Sequence, residues 1–190
     1  MKAVSMAATL VVMTTASLGA QTSAAVSLEQ QLMEASFRGQ LEQVKQLALQ
    51  GAAIDAADAE KRTSLMWAAF NGHTPVVEYL LLKGADLEAK DSNGRTALMY
   101  ASSGPFAETV ELLLGKGAEA NVQGSLEGFT SLMTAAAEGQ VEVVRLLLEH
   151  GADATLEDKD GDTAKAFAQQ NGHSAVVELL DSPPGPSDPS

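Results

Sequence analysis

The sequence predicts an all-α solenoid of about five helix–turn–helix units joined by hairpin-like loops. Three observations carry that expectation. Thr63, Thr96, Thr130 and Thr163 open "TSLM", "TALM", "TSLM" and "TAKA" at spacings of 33, 34 and 33 residues. Gly51, Gly84, Gly117 and Gly151 begin "GAA", "GAD", "GAE" and "GAD" at spacings of 33, 33 and 34. The stretch "NGHTPVVEYLLLKGAD" from Asn71 returns from Glu138 as "EGQVEVVRLLLEHGAD". A fixed period of this length is the mark of stacked repeats.

Each unit reads in order. Thr63 is a hydroxyl N-cap, able to satisfy an orphan amide at a helix start. Leu65, Met66, Ala68 and Ala69 give a short first helix with small residues on one side. Asn71-Gly72 breaks it. A second helix follows, with Val77, Leu80 and Leu81 at i, i+3 and i+4 as its buried stripe. Gly84 closes that helix in a left-handed conformation that glycine adopts without a Cβ penalty. Asn93-Gly94 then supplies the chemistry of a hairpin tip. One such helical pair cannot bury its own apolar face, so it is copied and stacked.

These residues resemble the ankyrin repeat family. Thr63, Leu65, Ala68-Ala69, Gly72-His73, Val76-Val77, Leu80-Leu81 and Gly84-Ala85-Asp86 match its pattern in register. The resemblance covers about residues 28–181, with units at 28–62, 63–95, 96–129, 130–162 and 163–181. Departures are visible. Ser64 or Ala97 stands where the family has Pro, and Met66, Met99 and Met133 stand where it has His. Gly104-Pro105-Phe106 replaces Asn71-Gly72-His73, so the third unit's turn should differ. The third loop, "NVQGSLEGF", is one residue longer than its neighbours.

The ends differ from the middle. Ser27 and Gln30 fit a capping box at the start of the repeats. In the last unit Lys165 stands where other units carry Leu65, Leu98 and Leu132, which suits a face that no further unit covers. The Pro-rich stretch over 182–190 is expected to be disordered. Over 1–25, Lys2 is followed by an apolar core and then small residues, the pattern of a secretory signal peptide. The expected cut follows Ala25, with Ala24 and Ala20 as alternatives. Ser5, Thr9, Thr14, Thr15 and Ser17 dilute the stretch relative to the roughly 20 apolar residues that a membrane span needs. The folded chain is therefore expected to be exported, periplasmic or secreted, with no stable membrane insertion after signal removal.

Composition narrows the function. The 25 Asp+Glu against 12 Lys+Arg give a formal net charge of −13. Nucleic-acid binding needs cations to neutralise phosphates, and anionic lipid needs them too, so a neutral or basic protein partner is favoured; the alternative is that the charge serves only solubility. No cysteine is present, so thiolate chemistry and disulfides are excluded. No phosphate loop, serine elbow or paired metal-ligand helix is present. His73 and His173 share a repeat position and read as structural; His150 sits at a helix C-terminus, where a cation is favoured. Asp158, Asp160 and Asp162 lack the closing Glu of a calcium loop. Met33, Met66, Met99 and Met133 repeat by position, which reads as packing between helices.

The expected function is a non-catalytic protein-binding module with no cofactor, metal or catalytic residue. Its sharper form is an inhibitor or protector of one exported enzyme. The alternative is an oxidant- or metal-responsive protein using the methionine row. In the resembled family, partners lie against the first helices, on the concave side, and against the hairpin tips. That implies Trp67, Phe70, Tyr100 and Ser103 on helices. On loops it implies Asp58, Glu60, Arg62, Asp91, Asn93, Arg95, Leu126, Glu127, Phe129, Asp158 and Asp160. Trp67 and Tyr100 share a repeat position and Phe70 lies one helical turn on, so an exposed aromatic groove is expected, bounded by Glu34 and Thr134; the alternative is that these rings fold inward and fill the gap left by small alanines.

Overall fold

The computed structural model describes residues 26–182. The expected leader and nearly all of the Pro-rich tail lie outside the described residues. Within them the chain forms ten helices in five antiparallel pairs: α1 (Leu28–Phe37) and α2 (Leu41–Leu49), α3 (Ser64–Phe70) and α4 (Thr74–Leu82), α5 (Ala97–Ala101) and α6 (Ala107–Gly115), α7 (Ser131–Ala137) and α8 (Val141–Glu149), and α9 (Ala164–Gln170) and α10 (Ser174–Asp181). The five first helices pack in one row and the five second helices in another. Between units the chain makes the expected tips, with isolated antiparallel bridges at Ala57–Thr63 and Glu157–Thr163.

Local chemistry sets each boundary. Ser27 and Gln30 form the capping box that starts α1. The Thr63, Thr130 and Thr163 hydroxyls accept amide hydrogens from Met66, Met133 and Ala166. Thr96 is the exception: its hydroxyl is buried without a partner. Gly84 closes α4 with φ of 87°, in the left-handed region, where a side chain would be strained.

Leu32, Leu65, Leu80, Leu98, Leu113, Leu132 and Leu147 are all fully buried and run through one continuous core. Alanines on the first helices let neighbouring backbones approach, and Ala68, Ala69, Ala101, Ala135, Ala136 and Ala168 are completely enclosed. The α4 stripe is set slightly differently from expectation: Val76, Val77 and Leu80 are buried while Leu81 is half-buried. Met66, Met99 and Met133 are sealed, whereas Met33 in the first unit is half-buried. Lys165 stays half-exposed at the last unit and pairs with Asp181, as a terminal face requires.

Candidate protein-binding face

The first-helix face carries a ladder of rings. Phe37 meets Trp67 edge-on at 5.5 Å between centroids. Trp67 meets Phe70 at 6.4 Å, and Phe70 meets Tyr100 at 6.1 Å, both edge-to-face. This geometry places the positive ring edge on the negative ring face. The repeat generates the ladder: Phe37 and Phe70 share one position, and Trp67 and Tyr100 share another. A smaller cluster pairs Phe129 with Phe167 at 5.2 Å. Phe37 and Phe167 were missing from the sequence-derived candidates. Their signal was present, because each falls at the repeat position of a residue that was chosen.

The arginines of the tips roof this ladder. The Arg62 guanidinium lies 4.5 Å from the Trp67 ring centroid, and Arg95 lies 4.8 Å from Tyr100. Arg62 is held there by Asp58 at 2.7 Å and Glu60 at 2.8 Å. Arg95 is held by Asp91 at 2.8 Å. The cation favours the ring face, so the tip loops and the helices are joined by charge as well as by chain.

Asp91 and Tyr100 depart from the expectation of exposed contacts. Tyr100 is buried and its hydroxyl donates to Asp91 Oδ2 at 2.8 Å. Asp91 is also buried, and its Oδ1 accepts the Asn93 and Arg95 amides. Burial would raise the Asp91 carboxyl, but the bonds from the Arg95 backbone, Tyr100 and the Arg95 side chain outweigh it and hold it below the usual range. Burial pushes the Tyr100 phenol upward; Arg95 opposes that rise and Asp91 adds to it. The physical reason is the partner: the hydroxyl bonds to the Asp91 carboxylate, which Arg95 also holds while its guanidinium lies over the ring, so the side chain is covered. Trp67 and Phe70 remain half-buried, as do Phe37, Phe129 and Phe167.

The other candidates sort by what they hold. Asp58 and Asp158 accept the amides of their own tips, Glu60 and Arg62 for one, Asp160 and Asp162 for the other. Ser103 donates to the Tyr100 carbonyl. Asn93, Glu127 and Ser125 belong to a backbone zipper between tips. Ser92 N–H donates to Glu60 O, Ser125 N–H to Asn93 O, and Lys159 N–H to Glu127 O, at 2.7–2.9 Å. Leu126 is 57% exposed at the extended third tip, and Glu60, Glu127 and Asp160 are exposed on the first, third and fourth tips. The two bounding positions also differ: Glu34 pairs with Arg38 at the ladder's edge, whereas Thr134 is buried.

His73 and His173 lock units together. Each Nε2–H donates at 3.0 Å to the carbonyl that ends the preceding first helix, Phe37 or Ala137. Asn71 and Asn171 donate to the same carbonyls. Among the described residues no group of three or more His, Asp or Glu is placed to hold a metal ion.

A family model described as ankyrin repeats, in three copies, matches residues 32–124 and 102–185. The chain belongs to the ankyrin repeat family. The matched span takes in all of the ladder and all of the tips of this ankyrin array. No curated protein matches the chain. Ankyrin repeats generally mediate contacts between proteins, and this array carries its open rings on the first-helix row. No helix among the described residues is long and apolar enough to cross a membrane.

Proposed function

We propose that the ankyrin array is a non-catalytic, exported module that binds a neutral or basic protein along its first-helix face and hairpin tips. The observation that carries this reading is the half-buried ladder around Trp67 and Phe70, with the exposed Glu60 carboxylate held beside it by Arg62. Such rings serve as anchors at interfaces, and the surrounding charge favours a cationic approach. In its sharper form the module inhibits or protects one exported enzyme. The methionine alternative has less support, because three of its four thioethers are sealed in the core.

The test is capture from native cell extract with the chain beginning at Val26, followed by mass spectrometry. Trp67→Ala and Phe70→Ala are each expected to lose the dominant partner while the melting curve changes little. Lost stability with capture intact in the folded fraction would show that the rings are only packing. Export is tested separately, by the mass of the chain taken from native cells. An N-terminus near Val26 is expected, and an intact leader on cytoplasmic protein would refute export.

A further inference from the structure

The first, second and fourth tips are built alike. Asp58, Asp91 and Asp158 stand at one repeat position. Each turns Oδ1 onto its own loop, accepting the Glu60 and Arg62 amides in the first tip, the Asn93 and Arg95 amides in the second, and the Asp160 and Asp162 amides in the fourth. That leaves Oδ2 for a cation, and in the first two tips the chain supplies one. Arg62 Nε donates to Asp58 Oδ2 at 2.7 Å, and Arg95 Nε to Asp91 Oδ2 at 2.8 Å. Each guanidinium lies over a first-helix ring, Trp67 or Tyr100. Glu60 accepts from the far end of Arg62 at 2.8 Å.

The fourth tip keeps every part of this arrangement except the cation. Asp158 stands for Asp58, Asp160 for Glu60 and Phe167 for Trp67, but Asp162 occupies the arginine position. Lys159, in the same tip, is committed to the Ser125 carbonyl. Among the described residues no lysine or arginine pairs with Asp158, Asp160 or Asp162, and none lies over Phe167. Asp158, Asp162 and Phe167 are half-buried and Asp160 is exposed, so the place is reachable from solvent.

We propose that the fourth tip is a socket for an arginine of the bound protein, which seats its guanidinium over Phe167 and against Asp158 and Asp160 as Arg62 sits over Trp67. This rests on the reading of the tips as a binding surface. The two filled copies in the same chain set the ligand class. A planar fork meets two carboxylate edges and stacks on a ring, which an ammonium cannot do. With Asp162 in place of a resident cation, the local charge also favours an incoming one.

The test is a titration of an acetylated, amidated Gly-Gly-Arg-Gly-Gly peptide into the chain beginning at Val26, followed by amide NMR. The Asp158, Asp160, Asp162 and Phe167 amides are expected to shift along one saturation curve. The same peptide with lysine should bind about threefold more weakly, or less well still. Asp162→Arg supplies the missing cation within the chain and should abolish the response. Asp160→Asn alters an exposed side chain and should weaken binding about threefold. Equal affinities for the two peptides, or shifts spread over the exposed carboxylates of the other tips, overturn the proposal. So does a folded Asp162→Arg chain that still binds, or unchanged binding by Asp160→Asn. An arginine-specific response supports the socket even where Trp67→Ala leaves capture from extract intact. Capture lost in Trp67→Ala with no arginine response overturns the socket and leaves the ladder standing.

Discussion

Lys61 holds a left-handed backbone, with φ of 60°, where the other three tips place Gly94, Gly128 and Gly161. A Cβ in that region costs about 1–2 kcal/mol, so Lys61→Gly is expected to stabilise the array by about 1 kcal/mol in urea denaturation. The Asp91 network makes a second prediction. Its carboxyl is depressed in the folded chain, so its contribution is present above the unfolded value of about 4 and is lost as pH falls through the folded value. Asp91→Asn is expected to cost about 1–3 kcal/mol at neutral pH. The gap to the parent should shrink progressively in denaturation below about pH 4; a constant gap down to the folded value would contradict the linkage.

At the scale of elements, packing should outweigh surface chemistry. Leu80 in α4 and Leu147 in α8 are fully buried, and either change to Ala is expected to cost about 2–5 kcal/mol. Glu157→Ala, on an exposed loop, should fall within about 0.5 kcal/mol, and similar midpoints for the three variants would refute the register. Glycine turns divide the same way. A Cβ on Gly139 would lie 2.5 Å from the His173 ring, while one on Gly151 meets nothing. Both adopt positive φ, so Gly139→Ala should cost more than Gly151→Ala in the same assay. The pairs, caps and turns were legible in the sequence because each depends on neighbours a few residues away. The choice between an open and an inward ring at Tyr100 was not, since it turns on a bond to a carboxylate nine positions back. The interunit bonds of His73 and His173 were equally hidden: periodicity marked the histidines as structural without naming the carbonyls.

At the scale of the whole molecule, one apolar stack is closed at its end by a charge pair. Lys165 and Asp181 hold the terminal face in water, over a surface where Ala168 and Val176 are already enclosed. Lys165→Leu adds an apolar side chain to that face and is expected to promote self-association, read by light scattering against concentration; a monomer at all concentrations would show that the pair has no such role. The tips have a different consequence. They are stitched to one another through main-chain atoms of Glu60, Ser92, Asn93, Ser125, Glu127 and Lys159, bonds that do not require these particular side chains. The array therefore separates what its sequence must keep from what it can rewrite. Changes to exposed tip side chains such as Leu126, Glu127 and Asp160, unlike Asp91, are expected to leave the scaffold its stability, so new surface chemistry can arise there without first having to rescue the fold.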